Sequence, residues 1–525
     1  MRSLGPWRNG ERVRGAGQTD ACWVPVLVRE RGASRKEDRP GTTRCARVGV
    51  GEFMTTTQVA VIGGGPGGYA AAFLAADLGM QVTLIDESAD PGGVCLYRGC
   101  MPSKALLHVA KVLTEAREAA AWGVDFGAPA LDLDRLRAWK DGVVGRLTGG
   151  LGQLSTRRGV TFLRGRAALG GPTTVRVTRP DQGPVDLQFE YAILATGSRP
   201  ALPASLSLGG DRVWDSTRAL ELPSVPASLL VVGGGYIGLE LGSVYAALGS
   251  AVTVVEMTSE LLPGADRDLT SVVARRLEDV CQEVLLETTV GSLVEEGDGV
   301  RVTLQGAENV ELERHFDRVL VAVGRVPNSE IEGLATTSVQ RCARGFVTVD
   351  GQRRTDEPTI FAVGDLVGEP MLAHKASHEA RTAVEAIAGH KGVFEPTAIP
   401  AVVFTDPEVA WCGLTETQAK ANGQVVQVSR FPWAASGRAV TLDRPSGVTK
   451  LVIDPGTEQI LGVGIVGDGA GELIAEGVVA IEMGATAADL RLCIHPHPTL
   501  SETLMESAEV FFGQSTHVYR PKRVD

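Results

Sequence analysis

The sequence predicts an α/β chain that holds two dinucleotide-binding folds, and three observations carry that prediction. A glycine turn, Gly63-Gly64-Gly65-Pro66-Gly67-Gly68, follows a short apolar run at residues 58–62. A second turn, Gly233-Gly234-Gly235-Tyr236-Ile237-Gly238, follows another at 229–232. Just beyond the first unit stands the pair Cys95 and Cys100, in Gly92-Gly93-Val94-Cys95-Leu96-Tyr97-Arg98-Gly99-Cys100-Met101-Pro102-Ser103-Lys104.

The first element is a strand at 58–62. An alanine-rich helix should run from the turn to about Gly79, and a second strand at 82–85 ends in Asp86. Gly63 allows the tight turn, Gly65 lets the backbone approach a pyrophosphate, and Gly68 permits close packing of helix on strand. The helix N-terminus favours phosphate charge, and Asp86 can accept from ribose hydroxyls. A bare glycine motif is weak evidence; strand, helix and acid together make it specific.

The pattern then repeats. Strand 229–232, the turn with Gly233, Gly235 and Gly238, and a strand over Ala251–Val255 closed by Glu256 form a second unit. Gly63 and Gly233 are 170 positions apart, too far for one mononucleotide-binding pair. An acid at 256 suits free 2′- and 3′-hydroxyls and repels a 2′-phosphate, so NAD is expected there rather than NADP.

The cysteines say what lies between the two sites. Disulfide exchange needs an attacking and a resolving sulfur within bonding reach, and four intervening residues at a helical start can supply it. A structural disulfide or half of a zinc site is the alternative, but no second pair offers the remaining zinc ligands, and no metal is expected. A dithiol gives two electrons through sulfur, whereas nicotinamide carries a hydride. A flavin handles both, so FAD is expected at the first site.

Composition narrows the setting. A chain of 525 residues with 44% hydrophobic content holds several cores. A net charge of −12 argues against a nucleic-acid partner. No apolar run approaches the roughly 18 residues of a membrane span. Eight scattered cysteines suit a reducing compartment, the cytoplasm or, in a eukaryote, the mitochondrial matrix. Residues 1–53 carry ten Arg, one Lys and six acids without apolar periodicity. They fit neither a signal peptide nor a lipoyl-type carrier domain, and Met54 is read as the start of the folded chain, with 1–53 a disordered extension or an artefact of start assignment.

Further landmarks follow in order: Ala195-Thr196-Gly197-Ser198-Arg199-Pro200, Gly324-Arg325-Val326-Pro327-Asn328, Phe361-Ala362-Val363-Gly364-Asp365, Met371-Leu372-Ala373-His374-Lys375-Ala376, Thr405-Asp406-Pro407-Glu408, and His495-Pro496-His497-Pro498-Thr499-Leu500-Ser501-Glu502. With the two turns and the cysteine segment, this set over about 57–515 resembles the pyridine nucleotide–disulfide oxidoreductases, most closely the branch that oxidises dihydrolipoamide. The resemblance implies two Rossmann-like domains plus a C-terminal α+β dimerisation domain. The expected spans are 54–200 for FAD, 201–326 for NAD, 327–398 completing the FAD site, and 399–525 for the interface.

The resemblance also implies roles. Cys100 would be the thiolate beside the flavin and Cys95 the sulfur that exchanges with substrate. Lys104, one helical turn beyond Cys100, can face the same cofactor and favour the thiolate, and Glu240 would be its partner. Gly93, Thr196, Gly197, Asp365 and the backbone of Ala373 join Gly63, Gly65, Gly68, Asp86 and Lys104 in the FAD set. Ala167 would touch adenine. Gly324 joins Gly233, Gly235, Gly238 and Glu256 in the NAD set. The implied enzyme is a homodimer whose C-terminal segment reaches the partner's disulfide, and its substrate is the lipoyl domain of a 2-oxo acid dehydrogenase acyltransferase or a glycine-cleavage carrier protein.

Dithiol oxidation needs a base, and histidine is suited to it. Of eight histidines, His497 is favoured because Glu502, five residues on across a Pro498 turn, can fix its tautomer; His495 is the rival. Two departures bear on substrate choice: Tyr97-Arg98 between the thiols, and Gly464 where relatives often carry histidine. A mercuric-ion reductase is disfavoured because no vicinal cysteine pair follows Cys493, and a glutathione reductase by Glu256 and Ser103. A flavin-loaded assembly subunit is the reading from another class, against which the intact Cys95, Cys100, His497 and Glu502 stand.

Overall fold

A computed structural model describes residues 55–306 and 310–519. The expected extension over 1–53 and Met54 lie outside them.

The strand Thr55–Ile62 runs through the middle of the first sheet, paired in parallel with Val82–Asp86 on one side and Val185–Leu194 on the other. Val59, Ala60 and Val61 are wholly buried, which explains a continuous apolar run rather than an alternating one. Thr161–Arg164 extends the sheet beyond Val82–Asp86. The long strand Val185–Leu194 splits its far edge. Its first half pairs antiparallel with Thr174–Thr178, and its last three residues pair in parallel with Ile360–Ala362. The segment after residue 327 therefore returns to complete the first sheet.

Pro66–Asp77 is the first helix, with Gly65 at its N-cap and proline at its first position, where a missing N–H costs nothing. Ala71, Ala72 and Ala75 form its buried stripe. Small side chains on that face let the helix Ala373–Ile387 pack closely against it; Ala376, Ala380, Ala383 and Val384 supply the facing stripe.

The second sheet repeats the strand order in a purely parallel form. Glu283–Leu285, Ala251–Val255, Ser228–Val232, Arg318–Val321 and Val213–Trp214 lie side by side in that sequence. Tyr236–Leu248 is the helix after its glycine turn. An antiparallel meander, Thr289–Glu296, Gly299–Gln305 and Glu311–Phe316, covers one face. The expected boundaries at 200 and 326 fall on strands Ser198–Pro200 and Arg325–Pro327, which pair with each other where the chain passes between the two folds.

The C-terminal part is α+β. Five antiparallel strands, in the order Ala401–Val403, Glu408–Gly413, Ile460–Gly467, Val448–Ile453 and Gln427–Pro432, carry the helices Ala470–Glu482, Ala487–Leu492 and Glu502–Phe511. Lys450, almost wholly buried, joins this part to the second fold. Its Nζ lies 2.7 Å from Asp266 and Asp268, at the start of helix Arg267–Val280, and 2.8 Å from Glu416. These three acids could frame a cation, but the lysine ammonium already fills the space between them. Gly464 lies against that junction. A Cβ there would stand 2.7 Å from Leu269 and 3.6 Å from Lys450 Cε, so the missing side chain leaves room for both. Among the described residues, no helix is long and apolar enough to cross a membrane.

Candidate active site

The cysteine segment folds as two helices rather than one. Gly93–Arg98 carries Cys95, Gly99 breaks the run, and Cys100 opens the 19-residue helix Cys100–Glu118. Four intervening residues thus bring the sulfurs together across a break, not along a continuous helical start. Both thiols are free and half-buried. The Cys95 thiol donates to the Cys100 sulfur, which pushes Cys95 well above the ordinary thiol range; burial adds to the rise. The same bond lowers Cys100 to about 7, against burial and Glu240, with help from the Lys104 charge. A helix N-terminus favours a thiolate in addition.

Lys104 lies one turn along the same helix. Its Nζ is 3.0 and 2.8 Å from the two carboxylate oxygens of Glu240, on the helix of the second fold, and 4.5 Å from the centre of the Phe404 ring. Glu240 is 3% exposed and accepts two more bonds, from Ser103 Oγ at 2.8 Å and from the Phe404 N–H at 3.1 Å. Its charge is fully partnered, as a buried carboxylate requires.

These groups line one wall of a cavity of about 590 Å³. Around it the structure gathers Gly63, Gly65, Asp86, Gly93, Cys95, Cys100, Lys104, Ala167, Thr196, Gly197, Asp365 and Ala373. Gly68 does not line it, and sits behind the turn against the Gly63 carbonyl. Asp86 accepts from the N–H groups of Gly64 at 2.6 Å and Ser88 at 2.8 Å. Asp365 accepts from Ser198 Oγ at 2.5 Å, and Ser198 Oγ accepts from Arg325 Nε at 2.7 Å. The adjacent Gly364 N–H is held at 2.7 Å by Glu379, a wholly buried acid paired with Lys375 at 3.0 Å and Arg353 at 3.3 Å. Ala373 opens a 15-residue helix at the cavity wall.

This wall fits FAD. A long cavity runs from a glycine turn with free helix N–H groups, suited to a pyrophosphate, to a dithiol at a lysine, suited to a redox ring. The backbone of Gly93 stands close over the turn; a Cβ on it would come within 2.4 Å of Gly65 Cα, so no larger residue leaves the groove open.

In the second fold, Glu256 accepts from the Gly234 N–H at 2.7 Å and from Thr258 N–H and Oγ1 at 2.8 Å each. Gly235 has open space in front of it, as has Gly324 at the end of strand Arg318–Val321. The donor set of a glycine turn, a helix N-terminus and a carboxylate suits an NAD ribose and pyrophosphate. The helix that begins there lays Tyr236, Ile237, Glu240 and Leu241 along the dithiol cavity, so the two folds meet at the sulfurs. Burial raises the Tyr236 phenol to about 12, keeping it uncharged.

His497 and Glu502 are not part of the cavity lining. His497 Nδ1 is 2.9 Å from Glu502 Oε1, the ring is 76% exposed, and Glu502 Oε2 accepts the Thr499 N–H at 2.8 Å. Burial pushes the Glu502 carboxyl up, but Thr499 and His497 outweigh it and hold it below its usual range. With Nδ1 donating to the acid, Nε2 keeps a lone pair that faces outward. His495 differs. Its Nδ1 faces the Cys493 carbonyl at 3.0 Å and its Nε2 faces Glu476 Oε1 at 2.7 Å, so two acceptors occupy both nitrogens. Among the described residues, His497 keeps a ring nitrogen with no protein acceptor, whereas both nitrogens of His495 face one.

Sequence reasoning gave no site role to Ser103, Phe404, Ser198, Arg325 or Glu379. Only Glu379 left a signal, its i, i+4 spacing from Lys375 within one helix. Tyr97 does not line the cavity, its hydroxyl donating to the Asp90 carbonyl at 3.1 Å, while Arg98 is exposed at the cavity rim.

Residues 57–380 match the family model of pyridine nucleotide-disulphide oxidoreductases, and residues 399–508 match the dimerisation domain of that family. The chain is 47% identical over 467 residues to the dihydrolipoyl dehydrogenase of Vibrio parahaemolyticus, covering 89% of this chain and 98% of that protein. With the dihydrolipoyl dehydrogenase of Haloferax volcanii it shares 44% over 471 residues, 89% and 99% of the two chains. Among solved structures, LpdA from Mycobacterium tuberculosis superposes with a TM-score of 0.80 at 27% identity, over 87% of this chain and 99% of its own. The HOCl-induced flavoprotein disulfide reductase RclA from Escherichia coli, solved as a Cu(II) complex, gives 0.77 at 29%, over 87% and 100%.

Proposed function

The chain belongs to the pyridine nucleotide-disulphide oxidoreductase family, and from that membership we propose that it oxidises protein-bound dihydrolipoamide to lipoamide with FAD and NAD as cofactors, as its dihydrolipoyl dehydrogenase relatives are named for doing. The observation that carries the reading is the dithiol itself, two free cysteines on either side of a helix break that share one cavity with Lys104, which Glu240 holds at 2.8 Å.

The turnover begins from the Cys95–Cys100 disulfide. A substrate thiol gives its proton to Nε2 of His497, while Glu502 holds the ring through Nδ1 and stabilises the imidazolium. The substrate sulfur bonds to Cys95 and the Cys95–Cys100 bond breaks, releasing Cys100 as a thiolate that Lys104 stabilises. The second substrate thiol then closes the lipoamide ring, and Cys95 leaves as the thiol that donates to Cys100. FAD, when bound, would supply the two-electron chemistry that links a dithiol donor to NAD as hydride acceptor. Asp365, Thr196, Gly197 and Ala373 would hold FAD, with Gly63, Gly65, Gly68, Asp86, Gly93 and Ala167. Gly233, Gly235, Gly238, Glu256 and Gly324 would hold NAD.

The active unit is a homodimer, with His497 of the partner subunit serving the dithiol. What supports this is that His497 lies outside the lining of its own chain's dithiol cavity, together with the uncovered apolar side chains Val479 (62% exposed), Met483 (79%), Leu492 (73%) and Ile494 (99%) beside the histidine segment. The other partner is a lipoyl domain of a 2-oxo acid dehydrogenase acyltransferase or a glycine-cleavage carrier, met in the reducing cytoplasm (or the mitochondrial matrix of a eukaryote).

The test is NADH formation from dihydrolipoamide and NAD, with glutathione and NADP in parallel. His497→Ala should slow dihydrolipoamide oxidation by on the order of 10²- to 10⁴-fold. Wild-type rates in that variant would remove His497 as the base, and turnover with glutathione but not dihydrolipoamide would replace the substrate.

A further inference from the structure

His495 has a use of its own. The segment from Cys493 to His497 is exposed apart from the His495 side chain, only 7% of which is accessible. On its downstream side the segment is fixed by Glu502, through His497 Nδ1 and the Thr499 N–H. Upstream, the Cys493 N–H donates to the Leu490 carbonyl at 3.3 Å as the helix Ala487–Leu492 ends, and, among the described residues, the bond from His495 Nε2 to Glu476 at 2.7 Å is the one side-chain hydrogen bond that ties 493–496 to another helix. Glu476 stands on the helix Ala470–Glu482, which lies tightly on strand Ile460–Gly467. A Cβ on the neighbouring Gly477 would come within 2.9 Å of Val463. The anchor is therefore rigid, and the anchored ring is two residues from His497.

We propose that His495 and Glu476 form a positioning pair that fixes the upstream end of the turn carrying His497, so that Nε2 of His497 is presented in one place to the substrate thiol. This rests on His497 being the base. Both ring nitrogens of His495 stand within hydrogen-bond distance of an acceptor, the Cys493 carbonyl at 3.0 Å and Glu476 at 2.7 Å, so the ring is set between its own turn and the neighbouring helix. Glu502 sets the tautomer and tilt of the His497 ring, and His495 sets where the backbone beneath it lies. A displacement of about 1 Å at a reacting group can cost on the order of 10²-fold.

The experiment compares His495→Gln, Glu476→Ala, Glu476→Gln and His497→Ala as purified FAD-loaded enzymes. Two reactions are followed: oxidation of dihydrolipoamide, which needs the base, and NADH-driven reduction of an artificial electron acceptor, which does not. His495→Gln and Glu476→Ala should slow the first by roughly 10- to 100-fold through kcat rather than KM, and leave the second within about twofold. The double variant should be no slower than the worse single one, because the two act as a unit. Glu476→Gln, whose amide oxygen still accepts from Nε2, should recover most of the rate. Sedimentation should show an unchanged dimer in all four.

Dihydrolipoamide oxidation within about twofold of wild type in His495→Gln, with His497→Ala slow, would overturn the positioning pair and leave the base in place. A fast His497→Ala would remove the base itself, and the pair with it. If both reactions fall together, or the dimer dissociates, His495 is a prop for the whole fold and the positioning role is refuted.

Discussion

In each of the two glycine turns, the third glycine of the fingerprint stands where a Cβ would strike the carbonyl of the first, at 1.7 Å for Gly68 and 2.1 Å for Gly238. In each, a carboxylate from the end of the next strand accepts the N–H of the residue after the first glycine, Gly64 to Asp86 at 2.6 Å and Gly234 to Glu256 at 2.7 Å. The strand order around them is the same. They part in what stands in front. A Cβ on Gly65 would stand 3.8 Å from the Gly93 Cα, and the cysteine helices and the helix Ala373–Ile387 close the rest of its groove. A Cβ on Gly235 would meet nothing within 4 Å. One turn thus holds a ligand behind protein, and the other offers it to solvent. The pair teaches that a local motif fixes how a pyrophosphate is gripped, while distant segments fix how long it stays.

The sharpest way to break this comparison is to fill each turn. Gly68→Ala should lower bound FAD to less than about a tenth of wild type, since overpacking of a few kcal/mol falls on an enclosed site. Gly238→Ala should keep its yellow FAD and raise the NAD KM at least roughly tenfold. Absorbance of the purified proteins and NAD saturation curves decide the matter, and equal loss of FAD in both would show the two grooves to be alike.

A smaller effect tests the place where the folds meet. In the two-electron-reduced enzyme the Cys100 thiolate should be lost as pH falls through about 7. Lys104 stabilises the charged form, so Lys104→Met should move that midpoint upward, by about one pH unit. A pH titration of the long-wavelength absorbance of the reduced enzyme reads it; an unmoved midpoint would assign the thiolate to the Cys95 bond and helix end alone. The smallest change is expected from Glu256→Gln, which keeps a group to accept from Gly234 but loses its charge. NAD affinity should weaken roughly five- to tenfold, about 1 kcal/mol, with FAD content untouched.

Much of this was legible in the chain because it is local. The turns, their strands and closing acids, Lys104 one turn from Cys100, and Glu502 within reach of His497 are short-range patterns. The break at Gly99 was not read, since a spacing of five positions does not say whether one helix or two will hold the sulfurs. Ser103, Phe404, Ser198 and Arg325 join the site only through bonds that span more than a hundred residues. Lys450 reads as one residue of a strand, and its three acids come from other elements. Such partners are chosen by tertiary packing, and no period or motif announces them.

The position of Glu240 bears on how such a protein can be recombined. It belongs by sequence to the second fold, yet its oxygens hold Ser103 and Lys104 of the first and Phe404 of the C-terminal part. A chimera that exchanges the second fold at its natural-looking seams, between 200 and 326, imports a foreign helix into that junction. It will carry current only if the donor brings an acid to the same turn of the same helix. The two folds look like interchangeable cassettes, but a single carboxylate makes them heritable only as a set.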